Sequence, residues 1–184
     1  MKNIRKTPIF LIFIFLFSSC VKYVDFEQIE DLTVEPVFTS SLVYFTLDQV
    51  TFFDRINSVE VITPISKTSK FLSLNSSFVK NNLIKLELEF EISNQFDRDF
   101  TINVEFLDDN NTRTHRFNTF NVDANNLNYA QKEVINIINN QLFLSSTKIR
   151  VSVQLSPSNN GAVINPNVVK NLVFKTAGTF FLKL

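Results

Sequence analysis

The chain has 184 residues, and its 18 Lys and Arg balance 18 Asp and Glu, giving a formal net charge of +0 at pH 7. The basic residues form no stripe along the sequence, which argues against the clustered cationic surface that nucleic acid requires. One histidine and one cysteine exclude a multi-histidine metal site and an intramolecular disulfide. We therefore expect no nucleic-acid partner, no cofactor and no metal.

The N-terminus has the three parts of a secretion signal. Three basic residues among the first six precede an unbroken apolar run at residues 9–17, and two serines follow that run. A run of this length is too short for a membrane-spanning helix, which takes about 20 residues. The order of charge, apolar run and small residues predicts that residues 1–19 are a signal peptide removed on export.

The tetrapeptide Phe17-Ser18-Ser19-Cys20 resembles the lipobox of bacterial lipoproteins, in which an aliphatic residue and two small residues precede the acylated cysteine. Phe17 stands where leucine is usual in that motif. The resemblance implies that Cys20 becomes the first residue of the mature chain and carries fatty acyl chains such as palmitate. Lipidation would also account for an unpaired thiol in an exported protein. The alternative is an unmodified cysteine that follows an ordinary cleavage site.

Removal of 19 from 184 residues leaves 165, a length normal for one domain with a substantial core. The signal takes three basic residues with it, so 15 remain against 18 acids and the mature charge is near −3. We interpret residues 20–35 as the lipidated N-terminus and a tether. Residues 36–184 are expected to form a single domain.

Strict alternation of apolar and charged residues predicts a strand at residues 84–92, with one face buried and the other in water. The same pattern recurs at residues 100–106 and 149–155. Weaker strand patterns, separated by Asn, Asp and Ser clusters typical of turns, occur at residues 34–38, 42–47, 50–53, 59–62, 71–74, 113–122, 168–175 and 180–184.

One segment departs from this alternation. Ala130, Val134, Ile137 and Ile138 are spaced as on one face of a helix, and Asn128 can cap its start. We predict one short helix at about residues 128–139, covering an open edge or end of the sheets.

Many short strands with one apolar face predict an all-β fold, an antiparallel immunoglobulin-like β-sandwich of about 7–9 strands. The immunoglobulin Cys, Trp, Cys pattern is missing, so the likeness is one of architecture. Two alternatives are an eight-stranded outer-membrane barrel, which the lack of Trp disfavours, and a lipid-carrying β-barrel with a hollow interior. The 21 phenylalanines keep the second alternative open, although a solid phenylalanine core explains them more simply.

Single residues with possible chemistry have ordinary structural interpretations. His115 lies between two arginines on a predicted strand, where we expect an exposed side chain and no catalytic role. Phe96 interrupts a polar connection and is expected to turn back under the sandwich, although an exposed ring would indicate a partner contact.

The carboxylates give no clear site from sequence. If the two clearest strands form a hairpin, Asp97 and Asp99 lie about 27 Å from Asp108 and Asp109 at its other end. Asp123 would return towards Asp97 and Asp99, which makes a calcium site conceivable there, but solvated turn residues are the preferred interpretation. The row formed by Glu87, Glu89 and Glu91 is interpreted as the solvent face of a strand.

These observations predict a membrane-anchored lipoprotein of the cell envelope, held on the outer membrane, on its periplasmic or outer surface, by the lipid on Cys20. Without a catalytic constellation, the expected role is a non-catalytic module that binds a protein or glycan or supports envelope assembly. The alternatives are a glycan-acting hydrolase or accessory subunit, which needs two acids in one pocket, and the lipid carrier.

Overall fold

Strands account for about half of the described residues. The computed structural model describes residues 35–158, 161 and 163–184, so Cys20, the signal peptide and nearly all of the predicted tether lie outside the described residues. The strands are β1 Val37–Asp48, β2 Phe53–Asp54, β3 Val59–Glu60, β4 Ile65–Lys70, β5 Leu83–Asn94, β6 Phe100–Leu107, β7 Arg113–Arg116, β8 Phe120–Val122, β9 Tyr129–Asn136, β10 Lys148–Leu155 and β11 Asn171–Leu182.

The strands form two main antiparallel sheets. The four-stranded sheet has the order β1-β11-β5-β9, and the five-stranded sheet has the order β4-β10-β6-β7 with β8 also paired to β6. β2 and β3 form a separate short hairpin. Nine strands in two main sheets agree with the predicted all-β sandwich, and both main sheets are open at their edges.

Phenylalanine rings fill the space between the sheets. Phe90 of the four-stranded sheet contacts Phe117, which follows β7, and Phe120 of β8 in the five-stranded sheet, with ring centroids 5.5 and 4.9 Å apart. Phe71 contacts Phe106 of one sheet and Phe180 of the other. Each aromatic burial removes a large apolar area from water, so the solid phenylalanine core favoured from composition is confirmed.

The three clearest sequence patterns are confirmed as β5, β6 and β10. In β5 the apolar residues from Leu86 to Ile92 are buried, and the intervening glutamates lie on the opposite face. Alternation identified these strands because each has one face in the core.

The helix predicted at residues 128–139 is wrong. Residues 129–136 form β9, which pairs with β5 from Ile92 opposite Tyr129 to Lys85 opposite Asn136, and a 3-10 turn follows at Ile137–Asn139. β5 needs a partner for its backbone groups along this side, and the Lys132 ammonium bonds across the ladder to Glu89. Tertiary pairing thus overrides a helical spacing that is partly accidental, since Val134 and Ile138 are exposed.

The α-helix of the described residues lies elsewhere, as α1 at Ser77–Asn82. The Ser76 hydroxyl caps it by accepting a hydrogen bond from the Val79 N–H. Strands predicted at residues 50–53 and 71–74 are instead largely 3-10 turns at Gln49–Phe52 and Leu72–Asn75.

Other strand boundaries also change. Of the strands predicted at residues 34–38 and 42–47, residues 37–38 and 42–47 belong to the single strand β1, whose register shifts between Ser41 and Val43. Residues 168–175 and 180–184 contribute to the single strand β11, and residues 113–122 divide into β7 and β8. β4 was not predicted, because its sequence is polar and it lies at a sheet edge.

Among the described residues, the structure contains no helix long and apolar enough to cross a membrane.

Candidate functional site

The outer face of the four-stranded sheet places side chains from all four strands side by side. The register defines three rows across β1, β11, β5 and β9, and each row includes one glutamate of β5. The rows are Tyr44-Lys175-Glu91-Ala130, Ser41-Ala177-Glu89-Lys132 and Thr39-Thr179-Glu87-Val134. The predicted solvent position of the three glutamates is confirmed, since each is partly or fully exposed.

A groove of about 620 Å³ lies at one end of this face. The short side chains of Ser93 and Ala130 line it together with the exposed side chains of Tyr44 and Leu127. Tyr44 is 66% exposed. The remaining lining residues are Glu91, Ile92, Asn128, Tyr129, Val173 and Lys175. A carboxylate, an ammonium, an amide and a phenol ring therefore share one open groove.

The carboxylates of the face are individually paired with lysines. Glu87 contacts Lys85 at 2.8 Å, and the Glu91 carboxylate lies 3.9 Å from the Lys175 ammonium. Glu89 contacts Lys132, and this hydrogen bond raises the pKa of Lys132. Three glutamates and three lysines leave the row without a net charge, so the face offers paired donors and acceptors instead of a one-sign field.

A smaller cavity of about 190 Å³ adjoins the groove along the same strands. Glu89 and Glu91 both line it, together with Lys175. Alternate residues of a strand are about 7 Å apart, so these two acids meet the spacing that the hydrolase alternative requires. Both are exposed and both contact a lysine, whereas a glycosidase acid generally sits in apolar surroundings.

Asp123 returns to the end that bears Asp97 and Asp99, as predicted, since Asn94 donates hydrogen bonds to the carbonyls of Arg98 and Asp123, both at 2.8 Å. Asp97 contacts Lys170 at 3.2 Å, and this hydrogen bond lowers the pKa of Asp97. Asp99 accepts a hydrogen bond from the Ala124 N–H at 2.7 Å. Among the described residues, no three His, Cys, Asp or Glu side chains form a group that could hold a metal ion.

Asp108 lies at the opposite end of β6, as predicted. Its Oδ1 accepts hydrogen bonds from the N–H groups of Asn110 and Thr112, at 2.9 and 2.8 Å. Asp109 follows it in the same turn. Asp108 therefore stabilises the connection to β7.

His115 lies on β7, as predicted. The expectation that its side chain is exposed is wrong. The ring is half-buried and packs edge-on against Phe117, with centroids 4.8 Å apart. Burial lowers its pKa below the ordinary value, although a hydrogen bond with Asn140 and the charge of Glu133 oppose this shift. The side chain fills space beside the two sheet edges β7 and β9.

Phe96 turns back under the sandwich, which confirms the preferred interpretation. It is fully buried and packs edge-on against Phe52 and Phe100. Buried Asn94 fixes the loop by accepting a hydrogen bond from the Phe96 N–H at 2.9 Å and donating to the carbonyl of Arg98 at 2.8 Å.

On this face, sequence analysis identified only the three glutamates of β5, Glu87, Glu89 and Glu91. Tyr44, Lys175 and Ala130 were missed because their positions depend on the register of β1 and β11 and on β9 being a strand. Burial alternates without a break from Leu172 to Leu182, but the sequence does not, because Val173 and Phe181 are apolar on the outer face and Thr176 is polar on the inner face. The sequence pattern therefore contains no signal that β11 is one long strand.

Neither a family model nor a curated protein matches the sequence. Among solved structures, the fold is similar to a protein from Parabacteroides distasonis ATCC 8503 described as secreted, with a TM-score of 0.49 and 12% identity over 64% of this chain and 38% of that one. The fold is also similar to that of the VP2 subviral particle of infectious bursal disease virus, with a TM-score of 0.41 and 10% identity over 80% of this chain and 32% of that one.

The enzymatically active domain of bacteriophage CBA120 tailspike protein 4 gives a TM-score of 0.39 and 11% identity, over 80% of this chain and 19% of that one. All three TM-scores lie below 0.5, and the chain spans 38% or less of the length of each of these proteins.

Proposed function

We propose that the chain is a lipoprotein of the bacterial outer membrane, acylated on Cys20, whose domain is a non-catalytic glycan-binding module. The groove lined by Tyr44, Glu91, Asn128 and Lys175 is its binding site. The observation that carries this proposal is the groove itself, which combines an exposed phenol ring with carboxylate, ammonium and amide groups on one open surface.

The chemistry of the groove suits a sugar chain better than an apolar ligand. Sugar hydroxyls need donors and acceptors, which Glu91, Lys175 and Asn128 supply, and the ring of Tyr44 offers an apolar surface with a polar end. The groove is open along the sheet, so a chain of sugars can extend across it.

The binding test uses a matched pair of glutamates. The full-length chain and its variants are passed over immobilised peptidoglycan, chitin and dextran. Glu91→Gln and Tyr44→Ala should weaken retention at least about tenfold, equivalent to about 1.4 kcal/mol. Glu87→Gln is the control, because Glu87 also lies on β5 beside a lysine but outside the groove.

Equal retention of Glu91→Gln and Glu87→Gln would remove the groove from the proposal. Absence of binding to every polysaccharide would turn attention to a protein partner. The anchor is tested separately by intact mass of the N-terminal peptide, where an unmodified Cys20 contradicts the lipoprotein proposal.

A glycan-acting hydrolase is the second candidate, favoured by Glu89 and Glu91 on the small cavity. The assay is release of new reducing ends from the same polysaccharides. Turnover that disappears in both Glu89→Gln and Glu91→Gln, but persists in Glu87→Gln, would establish this function instead.

A further inference from the structure

The ends of the strands define two ends of the sandwich. At the end that we call the base, β1 begins at Val37, and the Leu182 N–H at the end of β11 donates to the Pro36 carbonyl at 2.9 Å. At the opposite end, the tip, Asp48 at the end of β1 lies beside Asn171 at the start of β11. The chain therefore enters the sandwich at the base.

Exposed apolar side chains gather at the base of the four-stranded sheet. Phe78 lies on α1, which leads directly into β5, and Ile84 is the second residue of that strand. Ile138 lies two residues after Asn136, the last residue of β9, which pairs with Lys85. All three apolar side chains are exposed.

The base of the five-stranded sheet continues this surface. Leu72 follows Phe71, whose N–H donates to the Thr147 carbonyl at 2.7 Å immediately before β10 begins. The Phe71 ring also contacts Phe143, next to exposed Leu142. The basal patch consists of Leu72, Phe78, Ile84, Ile138 and Leu142. Single exposed apolar residues are ordinary, but a group of them marks a contact surface.

The tip also has exposed apolar residues, among them Ile56 and Val169, so exposure alone does not choose between the two ends. The length of the chain between Cys20 and the sandwich distinguishes the two ends. Its fifteen residues, 20–34, span at most about 50 Å when fully extended. The 12 residues of β5 cover about 40 Å, so the tip could reach the anchoring membrane only with the tether stretched to nearly its limit.

We propose that the base rests on the membrane, with the basal patch in the headgroup region of the bilayer that the acyl chains of Cys20 enter. This inference rests on the lipid anchor proposed above. Amphipathic helices that lie on membranes bury their apolar faces about 5 to 10 Å into this boundary. The side chains of the basal patch are apolar and exposed, so they are available for the same kind of insertion.

The chain contains no Trp, so one introduced tryptophan is an unambiguous reporter of depth. Ile138→Trp probes the base and Ile56→Trp probes the tip, at positions that are 82% and 93% exposed. Each full-length variant is purified from bacterial membranes and reconstituted in vesicles of phosphatidylethanolamine and phosphatidylglycerol, with and without brominated acyl chains. Far-UV circular dichroism confirms that both variants fold, and Leu142→Trp provides a second basal reporter.

The tryptophan fluorescence of Ile138→Trp and Leu142→Trp should have its maximum at shorter wavelength on vesicles than in the reference sample. That reference is the same variant in detergent-free buffer, after its acylated N-terminus has been removed. Brominated lipids should quench the fluorescence of both basal reporters on vesicles. Ile56→Trp should show neither change. If the variants float with vesicles but the basal reporters are not quenched, the docking proposal is overturned while the anchor stands. If no variant floats with vesicles, the anchor and the docking proposal both fail.

Discussion

Replacing Arg98 with methionine is expected to destabilise the fold strongly, because Arg98 holds together segments that are distant in sequence. Its Nη1 contacts Glu60 Oε1 at 2.6 Å, and its Nη2 donates to the Ser156 carbonyl at 2.6 Å. Glu60 Oε1 also accepts a hydrogen bond from the Ile164 N–H at 2.7 Å. The network connects β3, the β5 to β6 connection, the end of β10 and the segment that leads to β11.

Burial sets the magnitude of this effect. The side chains of Arg98 and Glu60 are only 7% and 14% exposed, so Arg98→Met leaves a carboxylate with little access to water. Removing one partner of a buried pair costs about 3 to 5 kcal/mol. With a urea dependence of about 2 kcal/mol per molar, the unfolding midpoint should fall by about 1.5 to 2.5 M.

The assay is urea unfolding followed by far-UV circular dichroism, with Lys132→Met as the control. Lys132 contacts Glu89 on the surface, where an ion pair contributes about 0 to 1 kcal/mol. The double variant Arg98→Met with Glu60→Met should be less destabilised than the sum of the single variants, since no buried charge remains. A loss below about 1 kcal/mol for Arg98→Met, equal to that of Lys132→Met, would refute the role given to this pair.

Three further predictions concern the packed interior. Thr176→Val should raise the free energy of unfolding by about 1 kcal/mol in urea, because the buried Thr176 hydroxyl has no hydrogen-bond partner among the described residues; a loss would indicate a partner. Gly178→Leu should lower it by about 1 to 3 kcal/mol, since even a Cβ would lie 3.0 Å from Leu42 and 3.1 Å from Leu86; unchanged stability would contradict this packing. Burial lowers the pKa of His115 in the folded state below 6.5, so protonation favours unfolding and the free energy of unfolding should fall as pH drops through about 6.5. His115→Gln should reduce the dependence of this free energy on pH, measured by urea titrations at several pH values. An identical pH dependence in both proteins would contradict this prediction.

Sequence patterns correctly predicted those parts of the fold in which one face of a strand meets the core. β5, β6 and β10 alternate because their inner side chains must be apolar, and Phe96 was placed correctly because a large ring is rarely left in water. β4 carries no such signal, since it is a polar edge strand. β9 was mistaken for a helix because its residues owe their conformation to pairing with β5, which is a contact between distant segments.

The candidate site was less predictable for the same reason. A groove across four strands depends on register, and a shift of one residue would move Tyr44 or Lys175 to the other face. The exposed position of Glu91 was predictable from the alternation within its own strand. The residues beside it in the sheet, Tyr44, Lys175 and Ala130, come from segments about 40 to 85 positions away in the sequence. Local patterns specify a face, and only the assembled sheet specifies what shares that face.

The position of the groove relative to the base decides whether binding and membrane docking can occur together. Along β11, Lys175 in the groove precedes Phe181, which lies beside Val37 at the base, by about 20 Å of strand. That distance exceeds the Debye length of about 8 Å at physiological ionic strength, so the anionic lipid surface would be screened from Glu91. It also exceeds the headgroup layer, which is about 5 to 8 Å thick on each side of the bilayer. If the base rests on the membrane, the strands stand away from it and the groove faces sideways into the aqueous space, where a polysaccharide can reach it without displacing the domain.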